Sequence, residues 1–576
     1  MKAGSSCCAL ALLITVLLTS GVHDAAGQPA PLAEGLQNAA PLGTATPSAA
    51  AAAAAAATSA AAPATSDPAS PPAEPAKFSL IVVFRDVKSL AALRTICTPS
   101  QVLFRLFYRG LGLPADCHMP GMCRRIYSST IIGFAGDFTA ADLSRLERCL
   151  PGAIFYKEPD GKVYKAEDSP VRHAAGPQPS GGHQPGAPQA AVWRSLRASS
   201  SVQDVPKVQS FEERQRTPAS EGGLWNPQAI SQGANISLPG IKRQTVDTRL
   251  WNLDRLDQRD LPLDGAYTYG SATAAGTGRG ATIYVVDSGV RVSHQEFRTQ
   301  DGSRTRASHG YDFVEDDYVA DDCDGHGTHV AGTAVGLQVG VAKEAQVVAV
   351  RILDCTGSGT ISNTVAGLDW VAANHKDPAV VTLSLGIQVG SWSRVLEDAV
   401  RSLVNDHGVT VVVASGNSGV DACYVAPANV PEVLTVAASN IPTKANGTKA
   451  GDPEEMYKWS NTGPCLDIFA PGVDIYSACG GPSRCEAVTD SAYTYASGTS
   501  MAVPHVAGVA AIYLGNNPGA APRDVSAAIV GGSTPDKIQA AKFKAGTPNR
   551  LLYSGVAQQP EVEAAGGPPA GPPASG

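Results

Sequence analysis

Continuous apolar runs alternate with helix-periodic stretches over the second half of the chain. Ala281 to Val286 (A-T-I-Y-V-V), Gln346 to Leu353, Val380 to Leu385 and Val409 to Ala414 are rich in β-branched residues. Such runs suit strands buried on both faces of a parallel sheet. Between them, Ile361 to His375 and Ser393 to His407 carry helical periodicity, and Gly408 is placed to end the second. Strands alternating with helices predict an α/β domain, an open parallel sheet flanked by helices, over residues 246–555. Sites in that architecture form at the carboxyl ends of the strands.

A second patterned region spans residues 77–166. Phe78 to Phe84 (F-S-L-I-V-V-F) reads as a strand, Val87 to Ile96 as a helix and Ile131 to Phe138 as a strand. Thr139 then caps a helix, with Asp142 three residues on as a capping box and Leu143, Leu146 and Leu150 on one face. Ile154 to Tyr156 gives a last short strand. The order predicts a small α+β, ferredoxin-like domain of β-α-β-β-α-β type, with one strand not located.

The remaining segments lack periodicity. Residues 28–76 are Ala/Pro/Ser/Thr-rich, with an unbroken alanine run from Ala49 to Ala57, and read as a spacer. Residues 167–245 read as a long Gly/Pro/Ser/Gln-rich linker, and 556–576 as a low-complexity tail. The first 27 residues have the layout of a secretory signal. Lys2 is followed by a short apolar core, Cys7 to Leu18, and a small-residue cleavage site at Ala25, Ala26 and Gly27. That core is short for a bilayer span and no later run is longer, so a secreted, extracellular protein without a stable membrane anchor is expected.

Composition adds two constraints. Charged residues make up 17% of the chain and the net charge is −8, so no basic footprint for nucleic acid is present. Of the 12 cysteines, Cys7 and Cys8 fall in the signal, four (Cys97, Cys117, Cys123, Cys149) precede residue 150 and six (Cys323, Cys355, Cys423, Cys465, Cys479, Cys485) follow residue 320. Even counts in a secreted chain suggest disulfides within each region. The close C-x-x-C pairs of a zinc site do not occur.

The predicted strands deliver polar residues where chemistry is expected. Asp287 ends the first, within V-V-D-S-G, and Asn417 follows another, within V-V-V-A-S-G-N. His326 lies in D-G-H-G-T-H-V-A-G and Ser500 in S-G-T-S-M-A-V-P-H-V-A-G, each at a predicted helix start, with Pro504 expected in the first turn of the second helix. A serine hydroxyl is a poor nucleophile unless a histidine removes its proton in the transition state. A buried carboxylate sets that histidine's tautomer. The oxyanion needs fixed donors, which a side-chain amide and an N–H at a helix start supply. His294, His329 and His505 read as structural. The G-x-G at Gly357 to Gly359 lacks the third glycine and acidic follower of a nucleotide loop. Asn235-Ile-Ser237 and Asn446-Gly-Thr448 are glycosylation sequons.

These motifs resemble those of subtilisin-like serine peptidases, in the order Asp, His, Ser, joined by S-L-G at Ser384 to Gly386 and A-S-G-N at Ala414 to Asn417. The resemblance covers about residues 250–555, and the small domain before it resembles the family's inhibitory propeptide. It implies that Asp287 orients His326, that His326 is base and then acid, that Ser500 attacks the carbonyl and that Asn417 donates to the oxyanion. Gly357, Ser358 and Gly359, with Ser384, Leu385 and Gly386, look like the two edges that pair with substrate as added strands. Ala414, Ser415 and Gly416 would line a roomy apolar pocket for the residue before the scissile bond, and Ile361 would shape a more distal one. Broad specificity with an apolar preference is expected.

The cysteines resemble the proteinase K-like branch, which implies pairs Cys323–Cys355 and Cys423–Cys465. Cys479 and Cys485 lie outside that pattern, free to close a small loop or to pair otherwise. V-P-E-V-L-T-V and C-L-D-I-F-A-P-G resemble segments that bind structural calcium, through the carbonyls of Pro431 and Val433 and the carboxylate of Asp467. No catalytic metal is expected. The resemblance thus implies a monomeric endopeptidase acting on polypeptides, made as a zymogen whose propeptide is an intramolecular inhibitor. Self-cleavage is expected near Ala166 to Ser169, near Lys242-Arg243, or at both. The rival reading is a self-cleaved but otherwise non-catalytic binding protein that keeps its propeptide. A basic-residue-specific processing protease of the same superfamily fits less well, since no β-sandwich follows.

Overall fold

The computed structural model describes residues 76–86, 88–167, 241–270, 276–443, 449 and 454–555. The signal, most of the spacer and linker, the tail and both sequons lie outside the described residues.

The larger domain is built on a mixed, mostly parallel sheet of ten strands. Its order is Thr534–Pro535, Arg550–Leu551, Ile468–Pro471, Leu434–Asn440, Thr410–Ala414, Ala379–Leu383, Thr282–Asp287, Gln346–Arg351 and Ala307–Asp312, with Glu455–Met456 paired to Leu434–Asn440. Side chains on a strand point alternately to opposite faces, and the buried runs divide accordingly. Ile283, Val285, Val412 and Ala414 face a core shared with the helices His326–Val335 and Thr499–Asn516. Tyr284, Val286, Val411 and Val413 face a second core with the helices Ile361–Asn374 and Arg394–Asn405. Gly408, at φ 69°, follows the last of these and lets the chain turn back into the sheet.

The small domain is a four-stranded antiparallel sheet in the order Cys123–Tyr127, Gly133–Phe138, Phe78–Phe84, Ile154–Pro159. Cys123–Tyr127 is the strand that the sequence pattern did not locate. Thr139 and Asp142 form the expected capping box on the helix Ala140–Cys149. Along Phe78–Phe84, Val82 and Phe84 face the domain's own helices, whereas Ile81 and Val83 join the core of the larger domain's second face. The small sheet thus lies over the helices Ile361–Asn374 and Arg394–Asn405.

Carboxylates fasten that interface. Asp369 accepts from the consecutive amides of Ser128, Ser129 and Thr130 at 3.1, 2.6 and 2.7 Å. Asp160 accepts from the amide of Ser362 at 2.9 Å, in the first turn of its helix, and Glu158 accepts from Ser393 Oγ and Val395 N at 2.7 and 3.1 Å, at the start of the next. Helix N-termini carry orphan amides and a positive dipole end, so Asp160 and Glu158 sit where an anion is stabilised.

Two boundaries differ from the sequence reading. Ile241–Thr245, within the expected linker, is a strand paired with Ala266–Gly270. Its polar sequence (I-K-R-Q-T) has no buried-strand signature because four of its five residues lie at least partly in solvent. Pro504 is not in the first turn of its helix, which begins at Thr499. As the sixth residue it offers no N–H to the carbonyl of Ser500, and that carbonyl accepts from Ser384 Oγ at 3.0 Å instead.

Candidate active site

Asp287 is the last residue of the strand Thr282–Asp287, His326 the first of its helix and Ser500 the second of its helix. The two helices pack against each other. His326 Nδ1–H donates to Asp287 Oδ1 at 2.7 Å, and both side chains are fully buried. That bond leaves the lone pair on Nε2, which is buried and has no hydrogen-bond partner. Ser500 Oγ donates to the carbonyl of Ser384 at 2.8 Å. The first link of the expected hydrogen-bonded row is formed, and the hydroxyl that would make the second is turned to a backbone acceptor.

Asn417 lies beside this serine. Its Oδ1 accepts from the amide of Thr499 at 3.0 Å, while its Nδ2 is buried without a partner. Ser500 N–H donates to the carbonyl of Ala166 at 2.9 Å. A Cβ on Gly498 would lie 2.8 Å from that carbonyl oxygen and 3.0 Å from Asn417 Nδ2, so all three share a space that only glycine leaves open.

The two expected substrate edges do flank an extended segment. Ser358–Thr360 and Leu385–Ile387 each pair antiparallel with Lys162–Lys165, which lies between them. Lys165 N–H donates to Gly357 O at 3.1 Å and Ala166 N–H to Ser384 O at 3.0 Å. The sequence reading ended the small domain with a short strand and did not anticipate this second one. Val163 is fully buried in the same apolar cluster as Ile361 and Leu353. Ala166 is buried in the cluster that contains Ala414. Ser415 Oγ donates to Asn461 O at 2.9 Å, and Gly416 N–H to Thr499 Oγ1 at 3.3 Å, which ties the predicted pocket wall to the serine's helix.

Asp322 organises the histidine loop and was not singled out from sequence. Its carboxylate accepts from Ser288 Oγ at 2.9 Å, Gly325 N at 2.7 Å, and Thr328 N and Oγ1 at 2.8 and 2.6 Å. The signal was present, since an aspartate shortly before a Gly-rich helix start is a capping pattern. His329 and His505 are structural, as read. Burial holds them down to about 4 and about 3, so both are neutral. His329 Nε2 donates to Ile475 O, and His505 bridges Met501 O and Asn252. His294 is likewise buried and bonded to Ala492 O.

The disulfides Cys323–Cys355 and Cys423–Cys465 form as the resemblance implied, and Cys479–Cys485 closes the small loop. In the small domain Cys97 pairs with Cys123 and Cys117 with Cys149. At the expected calcium segment, Asp467 Oδ2 accepts from Thr435 N at 2.8 Å. Among the described residues no three or more His, Cys, Asp or Glu gather so as to hold a metal. The set of Pro431, Val433 and Asp467 would therefore rest mainly on backbone oxygens, hard donors of the kind calcium takes. No described helix is long and apolar enough to cross a membrane.

Comparison with known proteins agrees with this geometry. The family model described as "Subtilase family" matches residues 278–548. An extracellular serine proteinase of Thermus sp. (strain Rt41A) is 46% identical over 305 residues, 53% of this chain and 66% of that protein. Alkaline serine exoprotease A of Vibrio alginolyticus is 44% identical over 56% of this chain and 54% of its own length. A cuticle-degrading serine protease of Arthrobotrys oligospora is 39% identical over 53% of this chain and 68% of its own length. The chain spans between half and two thirds of the first two relatives. Its matched region holds the Asp287–His326 pair, the Ser500 helix and the two edge strands, and the chain belongs to the subtilase family.

Proposed function

We propose that this chain is a secreted serine endopeptidase, made as a zymogen that cleaves itself between Ala166 and Glu167. The observation that carries the reading is the Ala166 carbonyl, which accepts the Ser500 N–H while the residues before it pair with both edge strands. Ser500 Oγ turns from Ser384 O to His326 Nε2, loses its proton to that nitrogen and attacks the carbonyl carbon. Ser500 N–H and Asn417 Nδ2 hold the oxyanion, where each donor is worth roughly 100- to 1000-fold in rate. The C–N bond breaks, His326 returns the proton to the leaving amine, and water then hydrolyses the acyl-enzyme by the same path. Lys242-Arg243 is the weaker candidate for cleavage because both residues are held in a paired strand. Five disulfides among the described residues and a relative named as extracellular support secretion.

N-terminal sequencing of the mature protein tests the reading, with Glu167 as the expected first residue. Ser500→Ala should stay full length. Unaided maturation of that variant would overturn self-processing.

A second reading, a self-cleaved binding protein that keeps its small domain, is favoured by the carboxylate anchors at Asp369, Asp160 and Glu158. A peptide-hydrolysis assay after removal of the small domain separates the two, since turnover excludes permanent blockage. Calcium held by Asp467 with the carbonyls of Pro431 and Val433 belongs to the first reading as a structural ion of the proteinase K-like branch. Chelation should then lower the melting temperature of the mature protein, and Asp467→Ala should remove that response.

A further inference from the structure

Four charges stand in an alternating row beside the extended segment. Lys165 Nζ lies 2.7 Å from Asp324 Oδ2, Arg484 Nε lies 3.0 Å from Asp324 Oδ1, and the two terminal nitrogens of Arg484 each hold one carboxylate oxygen of Glu167. All four side chains are mostly buried, with Asp324 at 2% and Glu167 at 8% exposure. Burial alone would raise the carboxyl of Glu167. Arg484, with smaller contributions from His326 and Lys165, offsets this, and the group is held below its usual range.

The arrangement follows from backbone geometry. Lys165 and Glu167 are two apart, the spacing that brings side chains of an extended chain to one face. The residue between them, Ala166, is the one whose carbonyl meets Ser500 N–H. Asp324 stands two residues before His326, with its Oδ1 also accepting the His326 amide at 3.1 Å. Arg484 belongs to the small loop closed by Cys479–Cys485. That loop is fixed on both sides. Cys479 is fully buried, Ser483 Oγ donates to Cys355 O at 3.2 Å, and a Cβ on Gly325 would lie 3.0 Å from Arg484 Cδ. Asp324 and the packing against Gly325 thus orient the guanidinium through contacts that do not involve Glu167, so little side-chain freedom is lost when a carboxylate binds it.

We propose that Asp324 and Arg484 are specificity determinants that select polypeptides with a basic residue two before the cut and an acidic residue immediately after it. This rests on the endopeptidase reading above and narrows it, because the sequence reading expected a broad apolar preference. The two partners hold one another at 3.0 Å, yet each retains capacity. Asp324 can accept from a lysine, and the guanidinium terminus of Arg484 can take a carboxylate in a bidentate fork. A substrate with the charges exchanged would bring a carboxylate to Asp324 and an ammonium to Arg484.

The test uses mature protein freed of its small domain and fluorogenic peptides. One contains Val-Tyr-Lys-Ala-Glu-Asp, one has Lys and Glu exchanged, and two carry Gln at one position each. The expected kcat/KM falls about tenfold for each Gln and about a hundredfold or more for the exchange. Asp324→Asn, which keeps the acceptor for the His326 amide, should bring the Lys/Gln ratio near one and leave the Glu/Gln ratio. Arg484→Gln should do the reverse. Ratios within twofold for all peptides on the unaltered protein would overturn the proposal. If no peptide is cut, the endopeptidase reading fails separately. Binding of the same labelled peptides by fluorescence anisotropy then decides the charge selection, and equal affinity for the original and exchanged sequences overturns it.

Discussion

Ser500 Oγ donates to Ser384 O at 2.8 Å, and the same carbonyl accepts the Ala166 amide at 3.0 Å. One backbone oxygen thus holds the candidate nucleophile and aligns the bond it would attack. The hydroxyl has a partner other than His326, so the tautomer of that histidine rests on its hydrogen bond to Asp287.

Asp287→Asn tests that dependence. An amide can present its NH₂ to Nδ1 and favour the wrong tautomer, with the ring proton on Nε2. Loss of about 10⁴-fold in the rate of self-processing is expected, followed by gel electrophoresis over time. The melting temperature of the full-length variant should fall modestly, since the Ser288 amide and His326 Nδ1 both meet Asp287 Oδ1, and an NH₂ in that place cannot accept from Ser288 N–H.

Asn417→Ala removes a buried NH₂ that has no partner in the resting state, together with the acceptor of the Thr499 amide. A donor used only when negative charge develops affects the chemical step more than binding. The expected result is a fall in kcat of about 100- to 1000-fold with KM within a few-fold of the original. An equal change confined to KM would assign Asn417 to ground-state binding.

Asp369→Ala addresses the grip of the small domain. It leaves the amides of Ser128, Ser129 and Thr130 facing an apolar methyl at a buried interface. Charged hydrogen bonds of this kind contribute about 1.5–3 kcal/mol net. The self-processed complex should dissociate at least about tenfold more readily, measured by gel filtration, while the melting temperature of the separated mature domain stays nearly constant.

The pH dependence of stability follows from His329 and His505, both neutral and buried. Their values in the folded protein, about 4 and about 3, lie below the usual imidazole value of 6.5. Below 6.5 the unfolded chain takes up protons that the folded one refuses, so their contribution is complete above that pH and declines as pH falls towards 4. Each loses up to about 1.4 kcal/mol per pH unit in that window. Thermal melts of the Ser500→Ala protein between pH 7 and 4 should show a steepening loss. A flat profile would mean that neither ring is excluded from protonation.

The parts legible in the sequence were those written in contiguous residues. Asp287, His326 and Ser500 each sit inside a Gly-rich motif, and Val409 to Ala414 announced a doubly buried strand by composition alone. The unread parts are long-range or polar. Arg484 meets Glu167 across 317 positions, and neither residue has a motif of its own. Asp369 lies in a helix read from its periodicity alone, and it meets the Thr130 amide across 239 positions. Ile241–Thr245 pairs through its backbone and shows little apolar signal. The four cysteines of the small domain allow three pairings, and spacing alone does not choose among them. Cys479 and Cys485 were left between two fates, of which the local loop is the one formed.

The bridges Cys97–Cys123 and Cys117–Cys149 bear on how long such an enzyme would stay silent. A cleft that reads extended backbone can digest a blocking module only after that module comes apart, and covalent staples make such opening rare. The delay before activity would then be a clock set inside the blocker, running at the speed of its rarest breathing motion. A reducing milieu would wind it forward.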